Sequence, residues 1–123
     1  MPPVAYEVRR SLTCRQDLDA LFDHLMEAYQ SLGDPAQEAF ARAVGRIEAI
    51  EERMDQLGAA PHQGTLWPEI MDGLRWTTKD RAVFYFVVDD DARTVDVLAV
   101  FFGGQDHKAH ILNRLLYGRK SQP

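Results

Sequence analysis

The chain of 123 residues has a mass of 14.0 kDa, so we expect one domain spanning residues 1–123 with a single hydrophobic core. Hydrophobic residues make up 46% of the chain and charged residues 27%, a composition that excludes a disordered or fibrous protein. The net charge of −5 argues against the uniformly basic surface that is typical of nucleic-acid-binding proteins.

The N-terminal part of the chain predicts a strand followed by a helix. Apolar and polar residues alternate from Val4 to Arg10, which is the period of a half-buried strand. Thr13 and Gln16 fit a capping box at the start of the helix, and Gly33 is placed to end it. The apolar stripe of this helix consists of Leu18, Leu21, Phe22, Leu25, Met26, Tyr29 and Leu32.

A second helix is predicted immediately after the first. Asp34 can cap its free amides, and Pro35 suits the first helical position, where the missing N–H has no cost. The helix is expected to end at Gly58, and the short connection predicts an antiparallel helical hairpin that needs a sheet to cover it. The apolar stripe of the second helix consists of Phe40, Val44, Ile47, Ile50, Met54 and Leu57.

The second half of the chain predicts three strands and a short helix. After a loop from Gly58 to Pro68, the strand candidates are Glu69 to Thr77, Arg81 to Val88 and Thr94 to Phe102. Their short connections, one of them the turn Asp89-Asp90-Asp91, predict an antiparallel meander, and Asp106 can cap the last helix. We therefore expect an α+β fold in which an antiparallel four-stranded sheet is packed by a two-helix hairpin, in the order β-α-α-β-β-β-α.

Three features of the sequence predict a cytoplasmic protein. The longest apolar run, Ala82 to Val88, has seven residues, and a membrane span needs about 20. The N-terminus lacks the basic segment and apolar core of a secretory signal. Cys14 is the one cysteine, so no internal disulfide can form, and a structural role for it is more common than a reactive one.

Five segments carry a resemblance to a known family by their order and placement. They are Ser11 to Leu18, Pro61 to Gly64, Gly73-Leu74-Arg75, Arg81 to Tyr85, and Val97 to Asp106. Together they resemble the RelE/ParE superfamily of toxins from bacterial type II toxin–antitoxin (plasmid stabilisation) systems. The resemblance extends over nearly the whole chain, from Tyr6 to Leu116.

The resemblance implies a small toxin that inhibits growth and is neutralised by a cognate antitoxin. It implies one of two targets, because members of the family either cleave messenger RNA on the ribosome or interfere with DNA gyrase. A non-toxic binding module in a repressor complex is a third interpretation. The expected assemblies are a homodimer or a hetero-oligomer with the antitoxin.

The sequence offers three candidate catalytic residues for RNA cleavage, which needs a general base, a general acid and a fixed cation. Arg75 matches the family's strand arginine and is expected to project from the face opposite Leu74 and Trp76. Arg81 extends the basic face, and His107 can act as acid or base near neutral pH. Such an enzyme would be a metal-independent endoribonuclease. Alternatively, Arg75 pairs with an acid, Arg81 is a solvated turn residue and His107 lies on a helix surface without a role.

The candidate partner-binding residues lie at the predicted hairpin tip and toward the C-terminus. They are Lys79, Gln105, Lys108 and Arg114. A metal site needs three or four converging ligands, and outside the neighbourhood of His107 and His110 nothing in the chain has ligand spacing. We therefore predict no metal site, and no cofactor is predicted either.

Three departures from the nuclease members of the family favour gyrase as the target. The chain is acidic overall, and Gln105 stands where many relatives carry a basic residue. The helical hairpin, which supplies basic residues in several nucleases, carries more acids than bases. Ribosome-dependent cleavage of messenger RNA remains the alternative.

Overall fold

The computed structural model describes residues 5–104 and 106–117, with the side chain of residue 117 left aside. The chain begins with strand β1 (Glu7–Arg10) and helices α1 (Leu12–Ser31) and α2 (Ala36–Asp55), followed by a turn of 3-10 helix (Gln56–Ala59). The remaining elements are β2 (Thr65–Leu66), β3 (Arg75–Lys79), β4 (Ala82–Asp89), β5 (Thr94–Phe102) and α3 (His107–Tyr117).

The strands form one sheet in the order β1-β5-β4-β3-β2. The predicted α+β architecture is confirmed, with the helical hairpin and the meander of β3, β4 and β5 in the expected order. Two details differ from the expectation. Within the described residues the sheet has five strands, because Thr65 and Leu66 pair with β3. Strand β1 joins β5 in parallel, whereas the other pairs are antiparallel.

The first strand of the meander is shorter than predicted and begins later. Residues 68–73 form turns, and the strand starts at Arg75 instead of Glu69. The physical cause is Gly73, whose φ of 77° interrupts extended backbone. The Trp67 amide donates to the Leu74 carbonyl at 2.8 Å, which closes the turns into a compact loop.

The helix starts also differ from the predicted caps. The cap of α1 is Ser11, whose Oγ accepts from the Cys14 amide at 3.0 Å, so the predicted capping box of Thr13 and Gln16 is wrong. Asp34 makes no capping hydrogen bond and pairs instead with Arg42 at 2.5 Å. Gly33 ends the first helix as expected, with a φ of 107°.

The sheet has an apolar layer on each face. The first layer, under the helical hairpin, contains Cys14, Leu18, Ile50, Met54, Leu57, Phe84 and Phe86. The second layer, under α3, contains Leu74, Val83, Tyr85, Ala99, Phe101 and Ile111. We call the first side of the sheet the hairpin face and the second the α3 face. Alternation along β4 assigns Phe84 and Phe86 to one face and Val83 and Tyr85 to the other.

The two long helices pack through smaller residues than expected. Ala39 and Ala43 are fully buried in α2, whereas Phe40 is 55% exposed and touches the edge of Phe22. The first part of the stripe of α2 is therefore shifted by one residue from the predicted one, whereas Ile50, Met54 and Leu57 are buried as predicted. None of the helices in the described ranges is long and apolar enough to cross a membrane.

Cys14 is a core residue with an unreactive thiol. Its side chain is fully buried, and its Sγ lies 3.9 Å from the sulfur of Met54. Burial raises the pKa of the thiol to about 12, against the ordinary value of 9.0. The side chain is therefore a packing group, as the sequence suggests for a lone cysteine.

Candidate functional site

Arg75, the predicted catalytic cation, lies at the start of β3 on the hairpin face. Its cross-strand partner is Phe86, a residue of the layer under the helical hairpin, so Arg75 projects to that side as expected. Trp76 pairs with Tyr85 and points to the α3 face. The Nη1 atom of Arg75 donates to the His62 carbonyl oxygen at 2.7 Å.

Arg75 belongs to a group of four side chains that we call the His62 cluster: Tyr6, His62, Arg75 and Asp90. His62 Nε2 lies 2.7 Å from Asp90 Oδ1, and the Tyr6 hydroxyl donates to the same oxygen at 2.9 Å. The rings of Tyr6 and His62 meet edge to face at 6.0 Å. The cluster joins the residue before β1, the loop before β2, the start of β3 and the turn after β4.

The hydrogen bonds of the cluster keep Asp90 ionised. The hydrogen bond from Tyr6, followed by that from His62, lowers the pKa of the Asp90 carboxyl below its ordinary value of 3.8. The same interaction with Asp90 raises the pKa of the Tyr6 phenol. Asp90 therefore accepts hydrogen bonds as a carboxylate while Tyr6 stays protonated as a donor.

Two glycines let the backbone approach closely enough to form the cluster. A Cβ on Gly58 would lie 2.2 Å from the Tyr6 carbonyl oxygen, and the Tyr6 amide donates to the Gly58 carbonyl at 2.9 Å. A Cβ on Gly64 would lie 2.5 Å from the Trp76 carbonyl oxygen, and Gly64 has a φ of 86°. Glycine is needed at both positions, one beside Tyr6 and one beside the loop that carries His62.

His107, the predicted acid or base, lies on the other side of the sheet. It is the first residue of α3, and its Nδ1 atom lies 2.8 Å from the Tyr85 hydroxyl. Its ring also packs on Trp76, with centroids 5.3 Å apart. Burial, with a smaller effect of Lys108, lowers the pKa of His107, and burial raises that of Tyr85 to about 12. A neutral imidazole beside a neutral phenol results.

The structure therefore does not bring the predicted catalytic residues together. Arg75 faces the helical hairpin, whereas His107 contacts Tyr85 and Trp76 on the α3 face. The sheet stands between the two side chains. This placement gives no support to one acid, base and cation set that contains both Arg75 and His107.

Arg81 lies in the tip of the β3–β4 hairpin, and Lys79 is the last residue of β3 before it. Asp80 and Arg81 are the two turn residues, with φ values of 51° and 68°, the geometry of a tight two-residue hairpin turn. Arg46 donates to the Asp80 carbonyl, and Arg53 Nε lies 2.6 Å from the Asp80 carboxylate. Arg81 is an exposed turn residue, and Lys79 pairs with Ala82 at the end of β3 opposite to Arg75.

The remaining predicted partner-binding residues differ in their surroundings. Lys108 places Nζ 5.2 Å from the Trp76 ring centroid and 5.8 Å from that of Trp67, on the outside of α3. Arg114 forms a two-point ion pair with Asp17 at 2.8 and 2.9 Å. Arg114 thereby fastens α3 to α1. Gln105 lies outside the described residues.

Sequence reasoning missed His62 and Asp90. His62 lies in the Pro61 to Gly64 segment and Asp90 in the predicted acidic turn, 28 residues away. A histidine three residues after a glycine-containing turn of 3-10 helix carries no chemical signature of its own. The resemblance to the family in that loop was the one available signal. Over the described ranges, no group of three or more His, Cys, Asp and Glu side chains has the arrangement of a metal site.

Comparison with known proteins finds solved structures that are similar to this chain. No protein-family model matches the chain, and no curated protein matches it in sequence. A chain of the chromosomal ParDE TA system from P. aeruginosa superposes with a TM-score of 0.59 and 21% identity, covering 80% of this chain and 96% of that one. A chain of the toxin-antitoxin complex RelBE2 from Mycobacterium tuberculosis gives a TM-score of 0.52 and 23% identity, covering 80% and 92%. The described chain therefore shares its fold with these two chains, which is the fold that the sequence predicts.

Proposed function

We propose that this protein is the toxin of a type II toxin–antitoxin system and that a cognate antitoxin neutralises it. The observation that supports this role is the likeness of its fold to chains of two toxin–antitoxin systems, each of which it covers almost completely. Fold alone permits several activities. The role therefore rests on the agreement between this fold and the five sequence segments that resemble the same superfamily.

For the target we favour DNA gyrase over the ribosome. The supporting observation is the separation of Arg75 and His107 by the sheet, which leaves the predicted nuclease set incomplete. An inhibitor that acts by binding needs no acid, base and cation around one phosphate. Cleavage of messenger RNA on the ribosome is the alternative, and a non-toxic binding module is the outcome expected if neither target is affected.

We propose Lys79 and Lys108 as contacts for acidic groups of the antitoxin or the target. Lys108 is exposed beside two tryptophans, Trp67 and Trp76, a combination of charge and aromatic surface that is common at interaction hot spots. Arg114 supports this surface by holding α3 through Asp17. Cytoplasmic location is part of the proposal, because ribosome and gyrase are cytoplasmic and Cys14 is a free thiol.

Inducible expression in bacteria tests the role. We expect arrest of colony formation when this protein is made alone, and recovery when the short reading frame beside its gene is expressed with it. Lys108→Glu is expected to weaken recovery or arrest, whereas Arg15→Glu, an exposed change on α1, is the matched control. Normal growth without the partner would contradict the proposal.

A further inference from the structure

The turn between β3 and β4 holds an arginine in a backbone conformation that arginine rarely adopts. Its two residues, Asp80 and Arg81, have φ values of 51° and 68°. Two-residue turns of this geometry favour Asn-Gly or Asp-Gly, because glycine enters the left-handed region without steric cost. Arg81 stands where glycine is preferred, so the turn is less stable than it could be. Strained residues of this kind cluster at ligand-binding sites, and the conformation therefore points to a role for the Arg81 side chain.

Neighbouring elements hold both residues of this turn in place. Arg46 of α2 donates to the Asp80 carbonyl, and Arg53 Nε lies 2.6 Å from the Asp80 carboxylate. The Gly103 amide, just after β5, donates to the Arg81 carbonyl at 2.6 Å. The left-handed backbone is thus fixed by α2 on one side and by the end of β5 on the other.

Arg46 and Arg81 line a common open depression of about 350 Å³ beside Asp80. The Asp80 carboxylate is already paired with Arg53. Among the described residues, Arg46 uses one N–H group of its guanidinium for the Asp80 carbonyl, and the Arg81 side chain makes no hydrogen bond or ion pair. Both guanidinium groups therefore keep N–H donors for an anion in the depression.

Lys79 adds a third positive charge next to the turn. It is the last residue of β3, and its partner across the hairpin, Ala82, belongs to the layer under the helical hairpin. Lys79 therefore lies on the hairpin face, the side of the sheet on which α2 packs. In the part of the chain that the structure describes, its ammonium group has no ion pair. Unpaired positive charge thus gathers at the turn of a chain whose net charge is −5.

The pattern of charge favours the carboxylates of a protein over the backbone of a nucleic acid. A guanidinium group binds a carboxylate through two parallel hydrogen bonds, and arginine is enriched at interaction hot spots. A nucleic acid needs a tract of cations that neutralises successive phosphates. The cations of this turn form a small patch on an acidic chain, and α2 also carries the exposed acids Glu48 and Glu52. A patch of this size suits a few carboxylates.

We propose that Arg46, Lys79 and Arg81 form a docking site for an acidic segment of a partner protein. Carboxylates of that segment bind in the depression between Arg46 and Arg81, and Lys79 pairs with them from the side. The site rests on the proposed function for the existence of a protein partner, and it gives the Lys79 contact two arginine neighbours. Arg81 is then retained at a cost in stability because its charge is needed for binding.

Binding is tested by NMR titration of the purified full chain with a hexaglutamate peptide as the probe. We expect saturable shifts of the Lys79 and Asp80 amide resonances that diminish as salt is added, because exposed ion pairs are screened. Arg81→Gly should bind the peptide about fivefold more weakly, since an exposed ion pair is lost. This variant should stay folded, because glycine relieves the strain of the turn.

The matched control is Arg93→Gly. Arg93 also has a positive φ, of 56°, but it lies in the turn between β4 and β5, at the other end of β4. The change removes an exposed arginine from the same backbone region, and the peptide should bind this variant as tightly as the native chain. The absence of a saturable shift, or an equal loss of affinity in the two glycine variants, would overturn the site.

A hexauridylate oligonucleotide separates the two classes of ligand. We expect it to bind more weakly than the peptide. Tighter binding that is lost in Arg81→Gly would assign the turn to a nucleic acid and overturn the protein docking site. None of these titrations depends on growth arrest, so a native chain that leaves growth unaffected would remove the toxin role alone, whereas a peptide that does not bind would remove the docking site alone.

Discussion

Arg114 holds the last helix against the first one through a single carboxylate. Its two terminal nitrogens bind both oxygens of Asp17, and one of those oxygens also accepts from the Val100 amide at 3.1 Å. The Asp17 side chain is only 11% exposed, so water replaces the lost contacts poorly.

We expect Arg114→Gln to lower the free energy of unfolding by about 1–3 kcal/mol, because a mostly buried carboxylate loses its charged partner. Urea denaturation measures this loss. Arg9→Gln removes an ion pair whose arginine is 56% exposed, and its effect should stay within about 0.5 kcal/mol. Equal losses in the two variants would mean that the pair with Asp17 contributes no more than a surface pair.

His107 predicts a dependence of stability on pH. Burial lowers its pKa in the folded chain below the ordinary value of 6.5, so the unfolded chain binds the proton more tightly. The contribution of the neutral ring is fully present above pH 6.5 and declines as the pH falls toward the lower folded value. Acid therefore favours unfolding through this group.

Urea midpoints at pH 7.5 and pH 5 test this expectation. His107→Gln should reduce the fall in the midpoint between the two pH values, while His24→Gln, an exposed change on α1, should leave it as in the native chain. If the fall is the same in all three proteins, Tyr85 and Trp76 do not enclose the imidazole in the way described.

Prediction at the residue scale succeeded where the alternation along a single strand decides to which face of the sheet a side chain points. Alternation along β3 predicts that Arg75 and Trp76 point to opposite faces of the sheet, and their cross-strand partners confirm this. It failed for His62, because its partner Asp90 comes close only through the packing of a loop against a distant turn. The separation of Arg75 and His107 also depends on tertiary structure, since α3 lies on the face opposite the helical hairpin.

At the scale of elements, the close backbone contact between the 3-10 turn and the residue before β1 depends on a glycine. A Cβ on Gly58 would lie 2.2 Å from the Tyr6 carbonyl oxygen, which is backbone and cannot move cheaply. We expect Gly58→Ala to lower stability by about 1–3 kcal/mol in thermal or urea unfolding.

Gly45 provides the matched control for that change. It lies inside α2 with nothing within 4 Å of an added Cβ. Gly45→Ala should raise stability by about 0.5–1 kcal/mol, because alanine has the higher helix propensity. A Gly58→Ala protein as stable as the native one would contradict the close approach of β1.

The β3–β4 turn contains two residues in the left-handed region, Asp80 and Arg81. Only glycine and a few polar residues adopt that conformation without cost. We expect Arg81→Gly to raise the unfolding midpoint, with a gain of up to about 1 kcal/mol, while Arg81→Ala gives none. A gain in Arg81→Ala would assign the effect to the side chain instead of the backbone.

The order of the elements could be predicted because the spacing of apolar residues changes between the period of a strand and that of a helix at clear points in the chain. The predicted boundaries were wrong where packing decides. Ala39 and Ala43 are fully buried, although the apolar pattern of α2 alone predicts Phe40 and Val44 at the buried positions. The short strand β2 has two residues and is defined only by its pairing with β3, so no periodicity could reveal it.

At the scale of the whole molecule, the sheet divides the protein into two apolar layers with different coverings. Twenty-residue helices cover one face, whereas the other carries the single helix α3 of 11 residues. The proposed contacts of Lys108 lie on the α3 side, whereas Arg75 of the His62 cluster lies on the hairpin face. Arg75 and Lys108 therefore lie on different surfaces of one fold.

The acidic net charge does not describe the local surface. All three arginines of α2, at positions 42, 46 and 53, bind Asp34 or Asp80. Their spacing of four and seven residues places them on one side of the helix. Composition could exclude a uniformly basic protein, but it could not reveal this arrangement of charge.

Pulse-labelling of bacteria in the first minutes after induction tests the toxin role most directly. Incorporation of methionine and of thymidine is followed in parallel, with this protein expressed alone. The account predicts an early fall in thymidine incorporation, because gyrase is the favoured target, whereas an early fall in methionine incorporation alone would support the alternative, cleavage of messenger RNA on the ribosome. Unchanged incorporation of both would contradict the role of a toxin.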